Sequence, residues 1–160
     1  GVLFSGTIDS NIRYGKTDIS ETEVKEAAEI AQATEFIDAK PEQYASPIAQ
    51  GGTNVSGGQK QRLSIARAIA KNPEIFIFDD SFSALDFKTD STLRKALKEH
   101  TKDATTIIVA QRISTILNAD KIIVLDDGHM AGIGTHGELM KNCEVYRQIA
   151  MSQLSEEELA

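Results

Sequence analysis

The sequence lacks several features on which common classes of protein depend. Among 160 residues there is one cysteine, Cys143, so an internal disulfide is excluded and no cysteine spacing typical of a metal site is present. The net charge of −7 gives no basic surplus for nucleic acid, so no nucleic-acid partner is expected. The longest apolar runs are about five residues, against the ~20 that span a membrane, and no signal peptide is recognised. We therefore expect a soluble chain, whose membrane role, if it has one, depends on a partner or on a segment outside these residues.

What the sequence does contain is a glycine-bearing helix start at positions 55–62, Val-Ser-Gly-Gly-Gln-Lys-Gln-Arg. Ser56 is a good N-cap residue, and Gly57 and Gly58 place no side chain over the first N–H groups. Because the helix dipole and unpaired N–H groups favour anions, this start is a candidate phosphate site.

A second pattern follows at Ile75–Asp80, where four large apolar residues end in two carboxylates. Such a run is typical of a buried parallel strand, which delivers acidic side chains to the sheet edge where a metal–nucleotide can bind. An acidic residue in that position is costly without a function, which makes Asp79 a candidate metal residue.

Together these segments resemble the ATP-binding cassette (ABC) ATPases. Residues 56–59 are similar to the signature motif, with Val55 where the family usually has leucine, residues 75–79 to the Walker B strand, and residues 83–86 to the D-loop. A lone Ser-Gly-Gly-Gln would be weak evidence, but three motifs in order within about thirty residues are specific. The segment Phe4–Ile12 resembles exporter-type members, in which it follows the Q-loop and faces the transmembrane domain. In the loop 47–52, Gln50 occupies the place of an acidic residue.

The first half of the chain is rich in helical patterns, which predict helices at 20–33 and 57–71. Strand and helix patterns alternate in the second half, where we predict strands at 75–78, 105–110, 121–125 and 130–133 and helices at 87–99, 114–117, 137–141 and 145–153. Capping boxes start the helices at Ser20 and Thr135, and an Asp127-Gly128 turn predicts a hairpin. On the helix after Ser56, we interpret Lys60, Arg67 and Lys71 as a solvated face. An acidic tail, Glu156–Glu158, ends the pattern.

The predicted fold class is α/β: a partial P-loop NTPase fold, with a mostly parallel sheet and crossover helices, plus an α-helical subdomain. We predict a helical subdomain with the signature motif at 1–72. A RecA-like α/β part with the Walker B strand, D-loop and switch region is predicted at 73–160.

The Walker A half of such a fold is missing from these residues. Gly15-Lys16-Thr17 looks like the end of a P-loop, but the motif's first glycine would fall at Ser10, so we interpret it as a surface loop. The resemblance places the P-loop upstream of the Q-loop, just after which this chain begins. Because that loop holds the nucleotide phosphates, the chain alone is expected to be inactive and not to bind MgATP. The missing strands should also leave apolar surface exposed.

The resemblance implies roles for three further residues. Asp79 would orient Mg²⁺ through water, since this ion needs few protein carboxylates. Asp80 stands where competent members carry the catalytic glutamate; its carboxylate is withdrawn by roughly 1.5 Å, and a misplacement of about 1 Å can cost on the order of 100-fold in rate. Gln111 stands at the switch histidine, and an amide can donate a hydrogen bond to a γ-phosphate but cannot shuttle a proton.

These departures resemble the degenerate half of heterodimeric ABC exporters of the multidrug or lipid type. The family forms head-to-tail dimers in which ATP lies between one P-loop and the partner's signature motif. The implied hypothesis is an ATP- and Mg²⁺-dependent transport ATPase at the cytoplasmic side of the cell membrane, attached to a transmembrane domain. Its own site would be hydrolysis-poor, and Asp86 would lie across the dimer seam. The residues that complete the partner's site in trans would be Ser56, Gly57, Gly58 and Gln59.

Two alternatives stay open. A regulatory module that holds nucleotide at a dimer seam without turnover is favoured by Asp80 and Gln111 taken alone. A soluble ABC ATPase without a transport role is disfavoured by the exporter-like segment Phe4–Ile12. The transported substrate is not predicted, because specificity would lie in transmembrane segments.

Overall fold

The computed structural model describes residues 1–16 and 18–155. The predicted loop residue Thr17 and the predicted acidic tail Glu156–Glu158 lie outside the described residues. Two compact units divide the chain, Gly1–Ile107 and the residues from 108 onward. The boundary after residue 72, between a helical and an α/β part, is a different kind of division and stays a prediction.

The first unit combines helices with short strands. Its helices are α1 (Ile8–Ile12), α2 (Glu21–Ile30), α3 (Thr34–Asp38), α4 (Gly57–Ala70) and α5 (Phe87–His100). Its strands are β1 (Gly6–Thr7), β2 (Pro47–Ile48) and β3 (Ile75–Asp79), and 3₁₀ turns lie at Gln43–Ala45 and Gln50–Gly52. The sequence patterns did not predict the antiparallel pair β1–β2, in which Gly6 lies opposite Ile48. Strand β4 (Thr105–Val109) neighbours β3, and the Thr105 N–H donates to Glu74 O at 2.9 Å.

Helix α2 shows how local sequence sets an element and its limits. The predicted capping box is confirmed, because Ser20 Oγ accepts from the Glu23 N–H and the Glu23 side chain accepts from the Ser20 N–H. Its apolar face, with Val24, Ala27 and Ala28, is buried where α2 packs on α4. The predicted end at Ala33 is wrong. The helix ends at Ile30 because Gln32 takes a left-handed backbone conformation, with φ of 57°.

The second unit is a hairpin covered by helices. Its elements are α6 (Ile113–Ile116), β5 (Ile122–Asp126), β6 (His129–Gly134), α7 (His136–Asn142) and α8 (Glu144–Gln153). The predicted hairpin is confirmed: β5 and β6 are antiparallel, and Asp127 and Gly128 have φ of 47° and 76°, as a type I′ turn requires. The core on one side of the hairpin consists of Ile113, Ile122, Val124, Leu139, Cys143, Tyr146, Ala150 and Leu154.

The other face of the hairpin is apolar and exposed. Ile123 and Leu125 on β5, and Met130 and Ile133 on β6, are 50–69% exposed. Ile75 and Ile77 on β3 are likewise 58% and 68% exposed. This agrees with the exposed apolar surface expected from the sequence. In the part of the chain that the structure describes, no helix has both the length and the apolar character to cross a membrane.

Candidate functional site

The predicted helix start at Ser56 is present in the structure. Ser56 is the N-cap of α4: its Oγ accepts from the Gln59 N–H at 3.2 Å, and its own N–H donates to Gln59 Oε1 at 3.1 Å. Ser56 and Gly57 are exposed, and Gly58 is half-buried. The first N–H groups of a helix have no carbonyl partner within it, so the glycines keep these donors open to an anion.

The two glycines also let the D-loop segment approach the helix closely. A Cβ placed on Gly58 would lie 3.1 Å from Ala84 O, and one on Gly57 would lie 3.6 Å from Ala84 Cβ. A larger side chain at position 58 would therefore both push on the backbone at residue 84 and cover the helix start.

Gln61 joins the same helix to the loop after β3. Its Oε1 accepts from the Ala84 N–H at 2.9 Å, and its Nε2 donates to Ser83 Oγ at 3.1 Å and to Asp80 O at 3.3 Å. Ser83 Oγ donates in turn to Asp80 O at 3.2 Å. One amide thus holds the signature segment and the D-loop segment together.

The acidic residues lie where the sequence places them along the chain. Asp79 ends β3 and Asp80 follows it, and both are exposed. Asp80 has φ of 46°, a conformation that is uncommon for a residue other than glycine and is found at functional sites. Within the described residues no cluster of three or more His, Cys, Asp or Glu side chains could hold a metal ion. A lone strand-end carboxylate fits Mg²⁺, which keeps most of its waters.

Asp86 is the N-cap of α5. Its carboxylate accepts from the Thr89 hydroxyl at 2.7 Å and from the Thr89 N–H at 3.0 Å. Both hydrogen bonds hold the pKa of Asp86 below its ordinary value, and the bond from the Thr89 hydroxyl has the larger effect. Asp86 is therefore ionised at neutral pH and fixed in direction.

Gln111 belongs to the second unit, two residues beyond β4, and is exposed. Its carbonyl oxygen accepts from the side chain of Gln153 at 2.9 Å. The structure thus joins residues 56–61 with the segment 80–86 inside the first unit, while Gln111 is held by the last turn of α8.

A second group of contacts ties residues 2–14 to α4. Arg67 donates from Nε to Asn11 O at 2.7 Å, from Nη1 to Val2 O at 2.8 Å and from Nη2 to Asn11 Oδ1 at 2.8 Å. Its guanidinium also lies 5.3 Å from the ring centroid of Phe4 and 5.5 Å from that of Tyr14. Burial lowers the pKa of Arg67. The interpretation of Arg67 as part of a solvated face is therefore wrong, because its fork is occupied by backbone and side-chain acceptors.

The loop 47–52 lies on the same side as residues 3–7. Gln50 Oε1 accepts from the Ser5 N–H at 3.1 Å, and the Gly51 N–H donates to Leu3 O at 2.9 Å. Phe4 and Tyr14 stack with ring centroids 4.1 Å apart. The exporter-like segment and the loop containing Gln50 consequently form one connected surface.

The sequence patterns missed Gln61, Asn11 and Gln153, and they gave Arg67 the wrong surroundings. Arg67 follows Leu63 by four residues, at the margin of the buried face of α4, and this was a usable signal that it does not point to solvent. Asn11 carried a weaker signal as a polar residue beside the apolar Ile8 and Ile12. The partners of Gln61 and Gln153 lie 19 to 42 residues away, and no local pattern indicates them.

Comparisons with known proteins find related sequences and a related structure. A family model described as "ABC transporter" matches residues 3–83, about half of the chain. The chain is 45% identical over 148 residues to a putative multidrug export ATP-binding/permease protein of Staphylococcus aureus, covering 92% of this chain and 26% of the relative. It is 45% identical over 152 residues to human ATP-binding cassette sub-family B member 5, covering 95% of this chain and 12% of the relative.

A solved structure extends the likeness to the fold. The chain superimposes on a bacterial Atm1-family ABC exporter with ATP bound, with a TM-score of 0.93 and 39% identity, over 98% of this chain and 28% of the other. The chain spans between 12% and 28% of the length of these relatives. The predicted α/β fold class is confirmed, and on the match over residues 3–83 the chain belongs to the ABC transporter family.

Proposed function

We propose that this chain is part of the ATP-binding subunit of an exporter, and that it couples ATP binding and hydrolysis to transport. The observation that carries the proposal is the packing of an open helix start, Ser56–Gly58, against the D-loop segment through Gln61. The likeness to a multidrug export protein and to an Atm1-family exporter supports the transport role. ATP and Mg²⁺ are the proposed cofactors, and the transported substrate is left unassigned.

In this proposal the helix start acts on the partner's nucleotide. Ser56, Gly57, Gly58 and Gln59 would complete the site of a second nucleotide-binding domain in a head-to-tail dimer. The Ser56 hydroxyl and the first N–H groups of α4 are suited to the phosphates that such a partner holds. Asp86, ionised and fixed by Thr89, would lie across the dimer seam.

The subunit's own site would contain Asp79, Asp80 and Gln111 and would be poor in hydrolysis. Bound Mg²⁺ would neutralise phosphate charge, and Asp79 would orient its waters. Asp80 is one methylene shorter than the glutamate that serves as base, and Gln111 can donate to a phosphate but cannot gain a proton at neutral pH. The partner is therefore expected to be a different, competent subunit, which makes the assembly a heterodimer. The chain by itself is expected not to hydrolyse ATP.

The surface formed by residues 3–14 and the loop with Gln50 is proposed to face the transmembrane domain. Tyr14 is half-exposed and stacked on Phe4, so it offers a rigid aromatic contact. This would place the protein at the cytoplasmic side of the cell membrane through its transmembrane partner.

The test uses the full-length protein with its partner subunit and measures ATP turnover. Gly58→Asp should abolish hydrolysis at the partner's site, because a carboxylate there meets Ala84 O and repels phosphate. Gly137→Asp is the matched control, since a Cβ at Gly137 meets nothing within 4 Å. Turnover that survives Gly58→Asp at the control's level would rule out the trans role. Asp80→Glu combined with Gln111→His should raise hydrolysis at this subunit's own site, measured with the partner's catalytic glutamate neutralised.

A regulatory module that holds nucleotide without turnover is the second candidate. The identities of Asp80 and Gln111 favour it for this site alone. It predicts tight ATP binding in the dimer with no hydrolysis at either site, whereas the exporter proposal predicts hydrolysis that depends on Gly58.

A further inference from the structure

The side chain of Gln153 bridges two backbone groups on either side of Arg112. Its Oε1 accepts from the Ile113 N–H at 2.8 Å, and its Nε2 donates to Gln111 O at 2.9 Å. Between these contacts Arg112 is extended, with φ of −97° and ψ of 124°, and it is the N-cap of α6. One planar amide thus fixes both ends of the turn that leads from Gln111 into α6.

The bridge is anchored in the core of the second unit. Gln153 is the last residue of α8, a helix held by the buried Tyr146 and Ala150 and followed by the buried Leu154. Ile113, whose N–H the amide receives, belongs to the same core cluster. The Gln153 amide therefore fixes the exposed loop at Gln111 relative to the packed helix α8.

The two contacts of the bridge require a side chain at position 153 that both accepts and donates a hydrogen bond, as a glutamine amide does. A carboxylate could accept from the Ile113 N–H but would oppose Gln111 O, since both groups are acceptors. A methionine of similar length could do neither. Gln111 is itself exposed, so the direction of its side chain depends on how its backbone is held.

We propose that Gln153 is a positioning residue for Gln111: it holds the backbone of residue 111 so that the side-chain amide of Gln111 points at the terminal phosphate of ATP in this subunit's own site. The role rests on the proposed function. Gln153 does not touch nucleotide and acts only through Gln111, retaining ATP in a site that does not turn over quickly.

The experiment uses the full-length protein with its partner and two readouts. Hydrogen exchange of the Ile113 amide reports the contact, and the dissociation rate of MgATP from this subunit's site reports its consequence. Gln153→Met should speed exchange at Ile113 by about tenfold, the scale of one lost hydrogen bond, and should speed ATP release by a similar factor. Gln153→Glu should leave Ile113 protected but still speed release.

Gln148→Met is the matched control. Gln148 lies on the same helix, is exposed, and donates from Nε2 to Glu144 Oε1 at 3.0 Å, away from the loop. Repeating the measurement in a Gln111→Ala background distinguishes an effect on the Gln111 side chain from a general stabilisation of the loop. This background keeps the backbone carbonyl that Gln153 contacts but lacks the side chain that it is proposed to position. In that background Gln153→Met should no longer change ATP release.

Three results would overturn the proposal. The first is that ATP is released at the same rate from Gln153→Met as from Gln148→Met. The second is that Gln153→Met speeds ATP release by the same factor whether position 111 is glutamine or alanine. Ile113 exchange could also be unchanged in Gln153→Met. If the unsubstituted protein retains no ATP at this site, the proposed function is refuted and the positioning role with it. This holds even where hydrogen exchange at Ile113 still reports the contact with Gln153.

Discussion

Asn11 offers the sharpest test of how the segment 2–14 is held. Its side chain is 1% exposed and makes four hydrogen bonds. Oδ1 accepts from the Phe4 N–H at 2.9 Å and from Arg67 Nη2 at 2.8 Å, while Nδ2 donates to Phe4 O at 2.8 Å and to Thr7 O at 3.0 Å. Asn11→Leu keeps the approximate shape of the side chain and removes all four bonds.

The expected cost follows from these contacts. The three bonds between neutral groups contribute about 1 kcal/mol each, and the charge-assisted bond from Arg67 about 2 kcal/mol. Arg67 keeps its bonds to Asn11 O and Val2 O, so we expect a loss of about 3 kcal/mol of local stability rather than the full amount. Since 1.4 kcal/mol is a factor of ten, opening of this segment should become roughly 100-fold more frequent.

Amide hydrogen exchange of the full-length protein measures this opening directly, because exchange follows local unfolding. Phe4, whose N–H donates to Asn11, is the amide to follow. Asn118→Leu is the control, since Asn118 is exposed and lies in the second unit. An acceleration at Phe4 of less than about threefold over this control would refute the idea that Asn11 holds the segment.

Three further predictions concern the same unit. Arg67→Lys should speed exchange across residues 2–14 by about tenfold, because an ammonium cannot reproduce the planar fork, and its thermal unfolding temperature should fall while that of Lys60→Arg does not. Gln61→Met should speed exchange of the Ala84 amide by about tenfold, because Gln61 Oε1 is its acceptor; unchanged protection would place the acceptor elsewhere. Thr89→Val should raise the pKa of Asp86 towards its ordinary value of about 3.9, since the Thr89 hydroxyl is the main cause of the lowering. The stability that the Asp86 cap contributes is fully present at a pH above that ordinary pKa and is lost as the pH falls through the lower folded-state pKa. An NMR titration of the Asp86 carboxylate would follow this loss.

The elements that could be predicted from the sequence depend on residues close together in the chain. The capping boxes predicted at Ser20 and Thr135 each join residues three apart, and both are present. Ser56, predicted as an N-cap, also forms a capping box with Gln59. The Asp127-Gly128 hairpin was predictable for the same reason, because two adjacent residues with positive φ define its turn. Helix α2 ended early because the left-handed conformation of Gln32 has no composition signal that distinguishes it from a helical glutamine.

In the candidate site, the residues could be predicted from the sequence but the contacts that surround them could not. Its proposed nucleotide residues follow from motif resemblance, and their roles stay predictions. The contacts that the sequence did not predict join residues 19 to 56 positions apart: Gln61 with Asp80, Gln153 with Gln111, and Arg67 with Asn11. The charge of Arg67 favoured a solvated position, since an arginine on a helix is usually exposed. Its spacing from Leu63 pointed the other way, and tertiary packing brings two backbone carbonyls and a side-chain amide to its guanidinium.

Helix α4 connects two of these contact groups, and their independence can be measured. Gln61 and Arg67 are six residues apart, which places them about 9 Å apart along the axis and on different sides of the helix. They share no partner: Gln61 bonds to Asp80, Ser83 and Ala84, whereas Arg67 bonds to Val2 and Asn11. Local stabilities lost in Gln61→Met and Asn11→Leu should therefore add to within about 0.5 kcal/mol in the double variant, as for separate sites. An interaction energy above about 1 kcal/mol, read from exchange at Phe4 and Ala84 in the four proteins of the cycle, would mean that α4 carries strain between the D-loop segment and residues 2–14.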